Sequence, residues 1–321
     1  MTTAVTGGSG VVGSALIRQL VGSGIQPRAM SRSPESDLAL TNMGAVPQRA
    51  AMLGDLDSFM AGVDTVFHVA GVNEMCAIDP GPMYRANIDG AVEVARAARA
   101  AGVRRLVLTS SAAAIGEARG EIGREDTVHC GTYLSHYERS KHLGELAVLD
   151  AVPDLDVVVV NPSSVQGPGR ATGTGKLILD LVNGKLPFLV DTRISIVDIT
   201  DCARGHVLAA EKGEGGRRYI LNSFTIEMRE AVAVLEGVLG RSLPVRYLPG
   251  WVAAGASAPV EWGARLMRRR PTVCREMVRT MRHGHSYDGS RAVRELGLDY
   301  TTAESLMTRL IGWFRQEGLV R

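Results

Sequence analysis

The first half of the chain alternates short, unbroken apolar runs with amphipathic stretches. Thr2–Thr6 predicts a strand, and Val11–Val21 a helix with Leu16, Ile17 and Leu20 on its inner face. Arg28–Ser31 and Asp64–Ala70 predict two more strands. Met83–Ala101 predicts an alanine-rich helix stopped by Gly102. Val103–Ser110 predicts a strand, the Tyr137–Leu149 region a helix, and Asp156–Asn161 a buried strand. Runs that are apolar throughout, rather than at every second position, belong to strands covered on both faces. The pattern therefore predicts a doubly wound α/β domain with a parallel sheet.

Beyond Asn161 the rhythm loosens. Glycine and proline gather over residues 162–175, Leu177–Asn183 is helical, and Arg193–Ala210 predicts a strand followed by a helix. Arg217–Asn222 predicts a further strand. From Met228 the chain is mostly helical, with Pro249 and Pro259 as breaks. The expected organisation is a dinucleotide-binding domain over residues 1–165, rejoined by about 193–223. Residues 166–192 and 224–321 then form a smaller, mostly helical substrate lobe above the C-terminal edge of the sheet.

Composition adds exclusions. A formal charge of +2 on 321 residues does not suggest nucleic acid or an acidic membrane as the main partner. No apolar stretch is long enough to span a bilayer. Cys76, Cys130, Cys202 and Cys274 fit neither a metal spacing nor a disulfide framework, and no leader precedes the first strand. A cytoplasmic protein with a small-molecule substrate is the expectation.

The candidate chemistry begins at Gly7-Gly8-Ser9-Gly10-Val11-Val12-Gly13, between the first strand and its helix. Gly7 permits a tight turn, Gly10 the approach of a pyrophosphate, and Gly13 close packing of helix on strand. The helix N-terminus offers free N–H groups and a positive dipole end to phosphates. After the second strand, Ser31 stands where an acidic residue would grip the ribose 2′-hydroxyl of NAD, and Arg32 follows. An arginine there can pair a 2′-phosphate, which favours NADP; NAD stays open, because an arginine stacked on adenine is indifferent to that phosphate.

Tyr137 and Lys141 lie four residues apart, on one face of the predicted helix. Making a phenol a base near neutral pH requires its pKa to fall by about three units, or ~4 kcal/mol. A cation about 4 Å away at an effective dielectric near 20 supplies roughly that much. Lys141 is therefore expected to lower the Tyr137 pKa. The pair alone is weak, because tyrosine and lysine often meet on a solvated helix face.

The ordered set Thr6-Gly7-x-x-Gly10-x-x-Gly13, Gly54-Asp55, His68-Val69-Ala70-Gly71, Asn87-Ile88-Asp89-Gly90, Thr109-Ser110-Ser111 and Tyr137-x-x-x-Lys141 resembles the extended short-chain dehydrogenase/reductases. Asn161-Pro162-Ser163-Ser164 and Arg294-Glu295-Leu296-Gly297 continue the likeness along the whole chain. Within that family the chain most resembles the NAD(P)-dependent epimerase/dehydratase group, near dihydroflavonol-reductase-like and hopanoid-associated epimerase-like members. The resemblance implies a Rossmann domain, a homodimer through the helices near Met83–Ala101 and Leu134–Leu149, and a Ser111–Tyr137–Lys141 triad for hydride transfer. It further implies that Asp55, followed by Leu56, binds adenine, that Val69, Ala70 and Gly71 lie beneath the cofactor, and that Thr109, Ser110, Pro162, Ser163 and Ser164 line it.

Asn87 matches an asparagine that orders backbone and water near the lysine. Each of these has a plainer reading: Asp55 as a helix cap, Asn87 as a buried amide, Pro162 as a strand end. Val72, Ala112, Ala113 and Asn161 are substrate-side candidates.

The family's chemistry includes reduction, oxidation and epimerisation. Sugar-nucleotide enzymes of this type often carry an arginine where Val158 stands, and an Arg-Asp pair where Ile194-Ser195 stands. The expected activity is thus an NADP(H)-dependent reductase or dehydrogenase of a ketone or secondary alcohol. A sugar-nucleotide epimerase or dehydratase with tightly held NAD is the alternative, and a nucleotide-binding regulator without turnover is a third. His129, His136 and His142 flank the tyrosine without forming a metal set, and no metal is expected. His68 is expected in the core, Arg268-Arg269-Arg270 on a solvated face or against a substrate anion, and Trp251–Trp262 in a helix capping the pocket rather than in contact with a membrane.

Overall fold

In a computed structural model, strand and helix alternate from β1 (Thr3–Thr6) and α1 (Val11–Gly22) through β2 (Arg28–Ser31), α2 (Pro34–Asn42) and β3 (Val46–Arg49). Then come α3 (Asp57–Met60), β4 (Thr65–His68), α4 (Gly81–Tyr84), α5 (Gly90–Ala100) and β5 (Arg105–Thr109). After α6 (His136–Ala151) and β6 (Asp156–Pro162) follow β7 (Ser164–Gln166), α7 (Thr174–Val182), β8 (Phe188–Val190) and β9 (Arg193–Asp198). The remainder is α8 (Ile199–Lys212), β10 (Arg218–Leu221), β11 (Phe224–Glu227), α9 (Met228–Leu239), β12 (Arg246–Leu248), α10 (Gly250–Leu266), α11 (Arg275–His283) and α12 (Ala303–Gln316). The described residues are 2–267, 269, 271 and 273–320, without the side chains of Ala256, Ser257, Val260 and Arg265.

These residues build a seven-stranded, wholly parallel sheet in the order β10-β6-β5-β4-β1-β2-β3. The order reverses between β1 and β4, so the ligand crevice of such a sheet opens above their C-terminal ends. The unbroken apolar run in β6 now has its reason. Val158 and Val160 pack with Leu16 and Ile17 on one face, while Val157 and Val159 pack with Val94, Ala98 and Val148 on the other. A second core holds Leu181, Leu235, Leu310 and Phe314 beneath α7, α9 and α12. Within residues 193–223, β10 returns to the main sheet beside β6, whereas β9 pairs with β7 and β11 in a separate small sheet.

Four features depart from the sequence reading. β3 was not anticipated: it is a polar edge strand containing Pro47, and edges tolerate proline. The single helix over Met83–Ala101 is interrupted by a π-helical turn at Arg85–Asp89. Pro259 lies inside α10 instead of ending a helix. Finally, Cys76 and Cys274, 198 residues apart, form a disulfide with a Cα separation of 5.8 Å, so the expectation that the cysteines fit no disulfide framework is wrong and the cytoplasmic expectation loses that support. Cys130 and Cys202 are free. Among the described residues no helix is long and apolar enough to cross a membrane.

Candidate active site

The glycine loop seats directly on the chain after β4. Gly7 has φ +70°, and a Cβ there would come within 2.6 Å of the Ala70 nitrogen. A Cβ at Gly13 would lie 2.1 Å from the Gly7 oxygen, and at Gly8 2.6 Å from Ile17 Cδ1. Only glycine fits this cradle. α1 begins at Gly10 with no side-chain cap and no acidic residue in its first turn, so its leading N–H groups are left for an anion. Ser9 is exposed; Val11 and Val12 are half-buried. A dinucleotide pyrophosphate fits these features.

At the end of β2, Ser31 is buried and donates to the Ser33 oxygen at 3.2 Å, while Arg32 is exposed. Asp37, in the first turn of α2, has its pKa lowered by a hydrogen bond from Ser31 and by Arg49, with which it pairs at 2.7 Å. Asp55 accepts from the Asp57 N–H at 2.9 Å and thereby starts α3. Leu56 sends its side chain into the core beside Phe59 and Met60, so its assignment to the cofactor is corrected to backbone only.

The catalytic candidates converge above β5 and β4. The Ser135 hydroxyl accepts the Glu138 N–H at 3.0 Å, and Glu138 reaches back to the Leu134 N–H at 2.7 Å. This reciprocal cap fixes the first turn of α6, where Tyr137 sits. Ser111 is near enough to the Tyr137 phenol to lower its pKa, and its hydroxyl accepts the Ala113 N–H at 3.3 Å. One turn on, the Lys141 Nζ donates to the Thr109 carbonyl at 2.7 Å.

The electrostatics correct one expectation. Burial raises the Tyr137 pKa, opposed by Ser111 and by the charge of Arg170, and Lys141 is not among the influences. Burial also lowers the lysine, to about 8, against the charge of Glu145. The reason is direction: the ammonium is aimed at the Thr109 carbonyl.

Asn87 sits within the π-helical turn and clamps three elements. Its Oδ1 accepts the Val72 N–H at 2.7 Å, and its Nδ2 donates to the Val72 oxygen and to Ser140 Oγ, both at 2.9 Å. Gly144 of α6 packs on the same turn, where a Cβ would meet the Asn87 oxygen at 2.1 Å. Ala70, Asn87, Ser110, Lys141 and Glu145 line a small pocket with room for about one water. Gly71 lies beside Asn87 and Lys141, and Val69 is half-buried.

The remaining candidates divide. Ser163 and Ser110 have buried hydroxyls without a partner, and Ser164 donates to Thr174 at 3.3 Å. Pro162 is buried at the end of β6. Asn161 is wholly buried and donates to the Ser111 oxygen and to Glu145, both at 3.1 Å. It supports the serine from below, and the substrate assignment is withdrawn. Ala112 is withdrawn as well: it packs with Ile115, Ile220 and Tyr287. Ala113 is partly exposed, and Val72 is held by Asn87. His68 is a core residue bonded to Thr6 at 2.8 Å, with its pKa lowered by burial to about 3. Of the arginine run, only Arg269 lies within the described residues; it is exposed.

Two features were missed. Arg170, in the glycine-rich loop after β7, is half-buried; its Nε has no partner, and its charge is felt at the Tyr137 phenol. Glu117, His283 and His285 bring three potential metal-ligand atoms within 4.8 Å of one another, joined by Tyr287 at 2.9 Å from His285. Glu117 Oε1 lies 2.6 Å from His285 and 3.4 Å from His283, while its Oε2 is buried without a hydrogen-bond partner. Neither feature has a local sequence signal; both depend on chain segments far apart.

A glycine cradle, an uncapped helix N-terminus and a serine–tyrosine–lysine cluster on a parallel sheet narrow the field. The model of the NAD dependent epimerase/dehydratase family matches residues 3–222. The chain belongs to that family. This epimerase/dehydratase-family protein is 32% identical over 330 residues to the sterol demethylase protein B of Methylococcus capsulatus, covering 100% of both chains. It is 28% identical to the human sterol-4-alpha-carboxylate 3-dehydrogenase, decarboxylating, over 97% of this chain and 87% of the relative. Its fold matches the crystal structure of gox2253 with a TM-score of 0.86 and 32% identity, over 100% and 99% of the two chains. Family members are NAD(P)-dependent reductases, dehydrogenases and epimerases, so this protein is an oxidoreductase-type enzyme of the same kind.

Proposed function

We propose that the enzyme transfers hydride between NADP(H) and a ketone or secondary alcohol that carries an acidic group on a largely apolar frame. The observation that carries the reading is the Tyr137 phenol, buried and held protonated beside Ser111 with Lys141 one turn away. A bound nicotinamide supplies or accepts the hydride. Ser111 and Tyr137 hold the substrate oxygen, Tyr137 gives it a proton during reduction, Ser111 and the charge of Arg170 favour the phenolate left behind, and Lys141 holds the nicotinamide ribose.

NADP is supported by the exposed Arg32 beyond Ser31, and by the pairing of Asp37 with Arg49. The acidic group is supported by Arg170. A half-buried guanidinium whose Nε has no partner, with no carboxylate partner among the described residues, offers a place for an anion from outside. The human relative is named for a substrate with a carboxylate near the oxidised carbon, and the proposal extends that chemistry to this site.

The test is a fluorescence titration with NADPH and NADH, with an Arg32→Ala variant alongside. The expected result is tighter NADPH binding that is lost in the variant. Equal or tighter NADH binding would remove the NADP reading and bring the sugar-nucleotide alternative forward.

A further inference from the structure

α10 is inside out. It runs for 17 residues, and its outward stripe is apolar: Trp251 is 72% exposed, Trp262 70% and Leu266 72%. At about 100° per residue, Trp262 and Leu266 lie only ~20° and ~60° around the helix from Trp251. Gly255 and Pro259, also exposed, fall on the same stripe and add no charge. The one acidic residue of the helix, Glu261, is turned inward and buried, where it pairs with Arg275 at the start of α11. A helix at the surface of a soluble protein does the reverse, burying its apolar stripe.

The surrounding charge is as one-sided as the stripe. Between Gly250 and His283 the sequence holds seven arginines against Glu261 and Glu276, a formal +5 in a chain whose total is +2. Both acids are engaged inside the protein. Glu261 holds Arg275, and Glu276 accepts the N–H groups of Cys76 at 3.1 Å and His136 at 2.6 Å. Among the described residues of this stretch Arg269, Arg275, Arg279 and Arg282 are exposed.

We propose that α10 lies on an anionic lipid bilayer, its tryptophans in the interfacial layer and the arginines around it among the headgroups. Paired tryptophans with flanking arginines match the boundary between acyl chains and headgroups. A second copy of this chain would bring an equal positive charge to the same face, so the charge disfavours self-pairing and favours acidic lipid. The low overall charge, which argued against a membrane, conceals this local excess. The docked face is also tied to the catalytic helix: Glu276 binds His136, and Cys274 is bonded to Cys76. An apolar substrate held in the bilayer would thus meet the enzyme close to Tyr137. That last step rests on the proposed function; the docking does not.

The experiment is flotation of the full chain with two kinds of vesicle, neutral phosphatidylcholine and phosphatidylcholine containing about 30 mol % phosphatidylglycerol. The protein is expected to float with the anionic vesicles, less at high salt, and to show a blue-shifted tryptophan emission. A Trp251→Ser/Trp262→Ser variant is expected to lose roughly tenfold or more in the bound-to-free ratio while keeping its melting temperature and NADPH affinity. Because both rings are exposed, a single Trp262→Ser variant provides a milder check on folding. Wild-type protein that stays in the aqueous fraction with both vesicles overturns the proposal. So does a double variant that floats as well as wild type. Light scattering that shows a wild-type dimer, split by the double substitution and indifferent to vesicles, assigns the face to a second copy instead.

Discussion

Tyr137 is the residue on which the proposed chemistry turns, and burial raises its pKa, so the phenol keeps its proton in the unliganded site. Tyr137→Phe is expected to reduce turnover by roughly 10²–10⁴ while NADPH titrates as in wild type. Near-wild-type turnover would move the proton to another group. Arg170→Gln is expected to raise KM for a β-keto acid by about tenfold or more, the scale of a lost charged hydrogen bond, and to leave the corresponding methyl ester unaffected. An equal effect on acid and ester would make Arg170 structural. Lys141 carries a stability consequence of known sign. Its pKa is lowered to about 8 in the folded chain, so the unfolded chain binds the proton more tightly. The penalty is complete below pH 8 and is relieved as pH rises from there toward the ordinary lysine value. Lys141→Met should therefore abolish turnover yet raise stability at pH 7 by about 1–3 kcal/mol, read as a higher melting temperature. A lower melting temperature would mean that the bond to Thr109 outweighs desolvation. Ser111, Tyr137 and Lys141 were legible because a strand end and one helical turn bring them together. Arg170 was not, because the path of a glycine-rich loop is not written in periodicity.

Among the elements, the parallel strands were legible because burial on both faces leaves an unbroken apolar run, as in Val157–Val160. β3 escaped because an edge strand needs no such run. The π-helical turn at Arg85–Asp89 escaped for a different reason: one extra residue in a turn leaves the local composition helical. That turn aims Asn87 at Val72 and Ser140, and Gly144 lets α6 approach it. Gly144→Ala would set a methyl group 2.1 Å from the Asn87 oxygen, so α6 must move. The expected loss is about 1–3 kcal/mol of stability, with a fall in kcat because the same shift displaces Tyr137 and Lys141. Gly237→Ala is the control: this helical glycine of α9 has open space around it, and alanine should stabilise by ~0.5–1 kcal/mol. Paired melting curves test both, and equal shifts would show that the contact at Gly144 has no special weight.

At the scale of the whole molecule, the chain just beyond Ser111 holds residues from near the C-terminus. Gly123 donates to the Ser286 oxygen at 2.8 Å and accepts from the Asp288 N–H at 2.9 Å, and Arg124 pairs with Asp288 at 3.3 Å. Glu117 joins the same seam to His283 and His285, across 168 residues of sequence in the case of His285. No window of sequence could have shown this seam. Burial alone would raise the Glu117 carboxyl, but hydrogen bonds from the two imidazoles and the charge of His285 lower it overall. A depressed carboxylate contributes stability that is present above its unfolded pKa, about 4.3, and is lost as pH falls through the lower folded value. Wild type should therefore melt above Glu117→Gln at pH 6, and the gap should close as the pH is taken down through the carboxylate range toward about 3. Melting temperatures of both proteins across that range decide it. A gap unchanged with pH would mean that Glu117 holds the seam by packing alone, with its ionisation idle.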